Sequence, residues 1–284
     1  MTRVRLSLLL ESEGMATAED KRKTWLSAVA ALVAVAALAV AGYVLVDARA
    51  QGSGTSLDAA APTVSAQPSP GATPSSEPRI ERWLVAKAVR AGNVYARPST
   101  DARVKLAFDK LNINEYPTVF LVDHTRETAG RVWYNVWVAM RPNGSRGWIS
   151  EGDVAIYPTT AKIEIDLSER TLTVSRRGLL LGTFPVAVGT PSLPTPTGFF
   201  FVNQKLKPAA PGGAFGVLAL GISAFQMKIP ASAWAQGGPV AIHGTNQPEL
   251  IGQAVSHGCV RMRDKDVLKV SDWVPTGSPV IIRK

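Results

Sequence analysis

The chain has 284 residues, a single cysteine, 46% hydrophobic residues and a formal net charge of +9. That length suggests one large domain or two smaller ones, and a lone thiol excludes an internal disulfide framework and any multi-cysteine zinc cluster. Residues 1–79 balance seven basic against seven acidic side chains, so the whole positive excess lies in residues 80–284. Such a surface suits an anionic polymer: nucleic acid, anionic lipid or bacterial wall.

Lys21-Arg22-Lys23 precedes an uncharged run of 22 residues from Trp25 to Val46, rich in Ala, Val and Leu. At ~1.5 Å per residue the run can cross a bilayer of ~30 Å. The basic residues before it put residues 1–24 in the cytoplasm, make 25–46 a transmembrane anchor and leave everything after Val46 outside. Ala48-Arg49-Ala50 has the small-x-small form of a cleavage site. The run is longer than a usual signal core of ~7–15 residues, however, and this favours an uncleaved anchor. Residues 47–80 are rich in Ala, Ser, Thr, Pro, Gly and Gln. They hold too little apolar area to offset ordering entropy and read as a disordered linker.

From Arg82 the pattern becomes that of short strands. Trp83–Val89 leads to Gly92-Asn93, a turn signal. Val119–Val122 and Val132–Val138 are β-rich runs, Pro142-Asn143-Gly144 is a turn, and Gly147-Trp148-Ile149 follows. Asp123-His124-Thr125 is predicted as a loop with a solvated histidine. Asn93–Ser99 and Gly147-Trp148-Ile149-Ser150 resemble the words of bacterial SH3-like domains. For residues 81–157 this resemblance implies a small barrel with an accessory, wall- or peptide-binding role.

Tyr157-Pro158-Thr159-Thr160 reads as a joint, and residues 160–284 as a second domain. Lys162–Leu167 and Thr171–Ser175 alternate about a turn and predict a hairpin. Further strands are expected at Leu179–Val188, Gly198–Val202, Val240–Ile242 and Ser278–Ile282, a loop at Ala210–Gly213, and a helix at Asp264–Val274. The fold class is mainly β, a sandwich or open barrel with few helices.

The chemistry concentrates between His243 and Met262, a stretch with Cys259 and two of the three histidines, His243 and His257. An imidazole or nearby backbone N–H groups can activate a thiol as an acyl-transfer nucleophile. Gly258 permits a tight turn and close approach of a substrate, and N–H groups near Gly258 and Cys259 could hold an oxyanion. Either histidine could serve as base: His257 lies two residues away, and His243 ends an apolar strand, a rigid mount. Cys259, His257 and His243 would nominally suffice for zinc, but no carboxylate stands at ligand spacing; no metal or other cofactor is expected.

His243-Gly244-Thr245 followed by Ser256-His257-Gly258-Cys259-Val260-Arg261-Met262 is similar to the signature of L,D-transpeptidases of the YkuD type. Thr195–Phe199 and Pro211–Gly216 resemble that family's entry motif and its Gly/Pro-rich substrate loop. The resemblance covers about 160–284. It implies Cys259 as nucleophile, His243 as base and the Gly244 carbonyl as the group orienting the imidazole. Arg261 would bind a substrate carboxylate or hold the loop, with Ser256, His257 and Gly258 shaping the pocket. The implied reaction is cross-linking of peptidoglycan stem peptides through a thioester, with carbapenem-type inhibitors trapping Cys259. The implied partners are the wall and, through the N-terminal run, the membrane, with no nucleic acid.

Overall fold

The computed structural model describes residues 80–233 and 237–284. The anchor at 25–46, the cleavage-like Ala48-Arg49-Ala50 and the linker up to residue 79 lie outside them. Among the described residues no helix is long and apolar enough to cross a membrane.

Seven strands come first: β1 (Trp83–Ala88), β2 (Gly92–Tyr95), β3 (Val104–Phe108), β4 (Val119–Thr128), β5 (Arg131–Trp137), β6 (Arg146–Ser150) and β7 (Val154–Thr159). They form one antiparallel sheet in the order β3-β2-β6-β5-β4-β1-β7. Three strands separate β3 from β4 in that order, yet the rings of Phe108 and Phe120 meet edge to face at 5.1 Å. The sheet therefore rolls over its own core, where Ala86, Val94, Phe120, Val136 and Ile149 are buried.

Several expectations need correction here. Gly92-Asn93 opens β2 rather than turning. Tyr157-Pro158-Thr159 is no joint: it ends β7, with Thr159 opposite Trp83, and leaves Thr160 alone before the next strand. His124 lies inside β4. β4 and β5 extend beyond the core as a polar ribbon, closed by Ala129 (φ 52°) and Gly130 (φ 70°). Positive φ at both central residues matches the twist of a two-residue hairpin. On β4 all six residues of the ribbon, 123–128, are exposed, so no hydrophobic alternation marked them as strand.

The second sheet uses β8 (Ala161–Asp166), β9 (Thr171–Arg176), β10 (Leu179–Pro185), β12 (Gly198–Leu206), β13 (Ala219–Phe225), β14 (Pro239–His243), β16 (Val260–Arg261) and β17 (Pro279–Arg283). β11 (Val188–Gly189) and β15 (Ala254–Ser256) form a separate parallel pair, so the predicted single strand from Leu179 to Val188 is broken in two. The larger sheet runs β10-β9-β8-β17-β12-β13-β14-β16, antiparallel except for β8 with β17 and β14 with β16. It is thus a mixed sheet. Ile163, Leu172, Phe200, Leu220, Ile242 and Val280 build its core, and the helix α1 (Asp264–Trp273) covers them with Val267 and Val270.

The sheets share a seam in which Val85, Val119 and Leu121 pack on Phe201, and the Trp137 ring lies 4.9 Å from Phe199. A Cβ on Gly277 would come within 2.2 Å of a Val85 methyl, so only glycine lets the second sheet approach β1 this closely. The seam makes residues 80–284 one packed body, in which a loop of one sheet can act on the other.

Candidate active site

β14 delivers His243 at its C-terminal end, and β16 runs parallel beside it with Ile242 opposite Val260 and His243 opposite Arg261. Continued one residue back, that register sets Cys259 opposite Ala241, and side chains of alternate residues share a face. Cys259 and His243 are therefore diagonal neighbours on one face of the sheet. Buried Ile242 and Val260 point the other way, into the core.

The segment before Cys259 is a tight loop held from within. Ser256 Oγ donates to the Cys259 carbonyl at 2.6 Å and accepts the Gly258 N–H at 3.1 Å. Gly258 has φ of 121°, and a Cβ there would meet Gln226 Nε2 at 2.6 Å, so the turn requires glycine. The Gly258 N–H is thus engaged by Ser256, which leaves Cys259 as the nearer source of an oxyanion donor.

His243 is 3% exposed. Its Nδ1 lies 2.6 Å from the Gly244 carbonyl oxygen. A carbonyl only accepts, so Nδ1 carries the proton and Nε2 keeps a bare lone pair. Burial drives the imidazole pKa down to about 4, aided by the nearby Arg261 charge and opposed by the Gly244 bond and Asp264. The ring is neutral at pH 7 and can accept a proton. Cys259 is half-buried. The protein packed around its thiol raises the pKa, while a bond from the Ala241 backbone and the Arg261 charge pull it down. The resting pair is a protonated thiol beside a neutral imidazole.

Of the residues singled out in the sequence, Cys259 lines a cavity of about 630 Å³ with Gly213, Ala214 and Phe215 of the Gly/Pro-rich loop. The Phe215 ring also packs against His243 at 4.8 Å. Ser256 is buried with its hydroxyl committed inside the loop, so it shapes the turn instead of touching a ligand. His257 is exposed, and its carbonyl accepts from Gln226. Arg261 reaches Gln247 Oε1 at 3.4 Å, and its buried Nε has no hydrogen-bond partner among the described residues. No three His, Cys, Asp or Glu side chains converge among the described residues.

The model of the YkuD L,D-transpeptidase catalytic domain matches residues 160–282. The Bacillus subtilis (strain 168) protein YkuD, to which L,D-transpeptidase activity is ascribed, is 36% identical over 128 residues, which span 45% of this chain and 69% of that protein. Its Bacillus licheniformis counterpart is 36% identical over 149 residues, 50% of this chain and 81% of that one. The chain belongs to the YkuD family of L,D-transpeptidases. L,D-transpeptidase 3 from Mycobacterium tuberculosis, solved with a faropenem-derived adduct, aligns at 16% identity and a TM-score of 0.37 over 57% of this chain and 98% of its own.

Within this YkuD domain, several functional contacts escaped sequence reasoning. Asp264 Oδ1 accepts the N–H groups of Thr245 and Val217, at 3.1 and 3.4 Å, and so pins the segment carrying the Gly244 carbonyl. Gln226, 2% exposed, donates through Nε2 to the carbonyls of Pro194 (2.9 Å) and His257 (3.1 Å), bracing the loop before Cys259. The segment containing Gln226 is held in turn from the first sheet. Arg141 donates to the carbonyls of Gln226, Ile229 and Gly237 at 2.7, 2.8 and 3.1 Å. Asn143 exchanges two bonds with the Phe225 backbone, at 2.8 and 2.9 Å. The only signal of this latch was the Pro142-Asn143-Gly144 turn, which by itself says nothing of a partner.

Proposed function

We propose that the protein is an extracytoplasmic cysteine acyltransferase that forms 3→3 cross-links between peptidoglycan stem peptides. The observation that carries this reading is the hydrogen bond from His243 to the Gly244 carbonyl. It leaves a neutral imidazole with its basic nitrogen unprotonated, on the same face of the sheet as a thiol at the cavity wall. As Cys259 Sγ attacks the carbonyl of the L-centre before the terminal D-residue of a tetrapeptide stem, its proton passes to His243 Nε2. Collapse of the tetrahedral intermediate breaks the amide bond. The departing amine of the D-amino acid takes that proton, and a thioester remains on Cys259. The side-chain amine of a diamino acid in a second stem then attacks the thioester, gives its proton to His243 and releases Cys259, which is reprotonated. The Gly244 carbonyl steadies the imidazolium formed on the way, the part played by a carboxylate in other triads.

The apolar run at 25–46 would hold this body outside the cytoplasmic membrane, and the linker up to residue 80 would give it reach into the wall. The first sheet would serve as an SH3-like accessory module, and the positive excess in residues 80–284 suits an anionic wall polymer. Mass spectrometry of the protein with tetrapeptide stems tests the reading. A thioester on Cys259 followed by a cross-linked dimer is the expected outcome. Trimmed tripeptide without dimer would make it an L,D-carboxypeptidase, and no adduct on Cys259 would overturn the mechanism. Carbapenems should acylate the same sulfur.

A further inference from the structure

The cavity at Cys259 does not end within the YkuD domain. It shares Asn114, Gln204 and Pro239 with a second cavity of about 410 Å³ walled by the first sheet. Its floor follows from strand register: Gln204 of β12 pairs with Gly221 of β13, and Gly221 with Ala241 of β14. Two of these three residues are Gly and Ala, so the row is a trough across the strands. Cys259 stands at one end. At the other, Asn112 and Asn114 of the first sheet's loop each donate through Nδ2 to Gln204 Oε1 at 3.0 Å. Between those asparagines, Ile113 is 82% exposed and lines the second cavity. Asn203 Oδ1, buried beside the trough, has no hydrogen-bond partner among the described residues; buried polar atoms are nearly always paired.

The dimensions fit one occupant. Adjacent strands lie ~4.8 Å apart, so the three steps from Cys259 through Ala241 and Gly221 to Gln204 cover ~14 Å. Extended chain advances ~3.3 Å per residue, so three residues cover ~10 Å of it and leave the rest to the group that joins the stem to its sugar. In the reaction proposed above, three stem residues precede the bond that Cys259 attacks. We infer that the trough holds the donor stem, and that the Asn112–Asn114 loop of the first sheet receives its sugar-proximal end. Amide side chains are of the kind saccharide hydroxyls bond to, Asn112 Oδ1 fixes the loop by accepting the Asn114 and Tyr116 N–H groups, and Ile113 offers an apolar contact. The inference rests on the peptidoglycan reading and makes the first sheet part of the substrate site.

The test uses the chain with Cys259→Ala, so that ligands bind without turnover. Two ligands are titrated: a disaccharide tetrapeptide, and the dipeptide of its last two residues. The disaccharide tetrapeptide should shift the side-chain amide resonances of Asn112 and Asn114, and the dipeptide should leave them unmoved. Ile113→Ser with Asn114→Ala should weaken binding of the longer ligand about tenfold. Leu180→Asp, on an exposed residue of β10, should leave that affinity as it was. Unmoved asparagine amides at saturation, no binding of the longer ligand, or undiminished affinity in the Ile113/Asn114 variant would each overturn the inference. Failure of the enzymatic reading shows separately: a carbapenem would leave Cys259 of the unmodified chain unacylated even where the longer ligand still moved the amides.

Discussion

The two sheets each close over an apolar core but differ in which polar groups they bury. In the first, the buried polar residues are Asn135, Ser150 and Thr159. In the second they include Gln204, Gln226, His243, Thr245 and Ser256, of which Gln204 lines the cavity at Cys259. The histidines make the contrast concrete. His124, on the first sheet, is exposed and bonds through Nδ1 to Asp123 at 2.8 Å, next to the Trp148 ring. His243 is buried and bonds through the same nitrogen to a neutral carbonyl. At His243 a carbonyl partner away from water fixes the tautomer and disfavours charge. The second environment suits a general base, and the first suits a surface.

The largest expected effects break the reactive end of this contrast. Cys259→Ser should abolish acylation by a carbapenem, because a hydroxyl is a far weaker nucleophile than a thiol at neutral pH. His243→Ala should slow acylation by roughly three orders of magnitude or more, the scale of losing one member of a catalytic unit. His257→Ala should cost about tenfold at most, since it keeps the backbone carbonyl through which Gln226 braces the loop. Stopped-flow acylation of the three variants ranks them. If His257→Ala is inert and His243→Ala acylates normally, the base has been misassigned.

Next in size is the response to pH. With the Cys259 thiol raised and the imidazole lowered to about 4, the resting pair is uncharged at neutral pH. Alkylation of Cys259 by iodoacetamide should be slow at pH 7 and climb steeply toward pH 10. A plateau already reached at pH 6 would mean a thiolate–imidazolium pair instead. Stability carries the matching signature. Above the ordinary imidazole value of 6.5, both folded and unfolded chains hold a neutral ring, and its contribution is fully present. As pH falls from 6.5 through about 4, the unfolded chain takes up a proton that the folded site resists, and stability is lost. Thermal melts across that window should fall less steeply for His243→Gln, which has no proton to gain.

A smaller effect probes whether the sheets are independent. Arg141→Ala removes the donor to the carbonyls of Gln226, Ile229 and Gly237, and Gln226 in turn braces the loop before Cys259. Bonds to a charged donor contribute ~1.5–3 kcal/mol where they are shielded from water; Arg141 is half-buried, so the lower end applies. The melting temperature should drop by several degrees and acylation by several-fold. A drop in melting temperature with unchanged acylation would show that the latch stabilises the seam without positioning the site.

This gradient matches what could be read from the chain. Cys259, Gly258 and Ser256 lie within four residues, and His243 stands on an apolar strand, so local spacing exposed them. The bonds from Gln226 to His257 and from Arg141 to Gln226 join residues 31 and 85 positions apart, between segments with no shared periodicity. β13 was missed because it is buried on both faces, so Leu220 and Ile222 alternate with small Gly221 and Ser223 and not with charged residues. The end of β7, Tyr157-Pro158-Thr159, was read with Thr160 as a joint, but β7 is an edge strand, where Pro158 removes no needed ladder bond.

The smallest expected effect tests the other end of the contrast. His124 lies on the polar ribbon, with Asp123 2.8 Å from its ring nitrogen and Arg146 Nη1 2.9 Å from the same carboxylate oxygen. Removing the ring leaves Asp123 paired with Arg146, so no carboxylate is stranded. The Trp148 ring, 5.1 Å away, loses an edge-to-face neighbour at the surface. Exposed pairs of this kind contribute ~0–1 kcal/mol after solvent screening and side-chain entropy. His124→Ala should therefore shift the melting temperature by a degree or two, with carbapenem acylation unchanged. A loss of several degrees, or slower acylation, would mean that the ribbon is tied to the body by more than these contacts, and that the first sheet's histidine shares in the site after all.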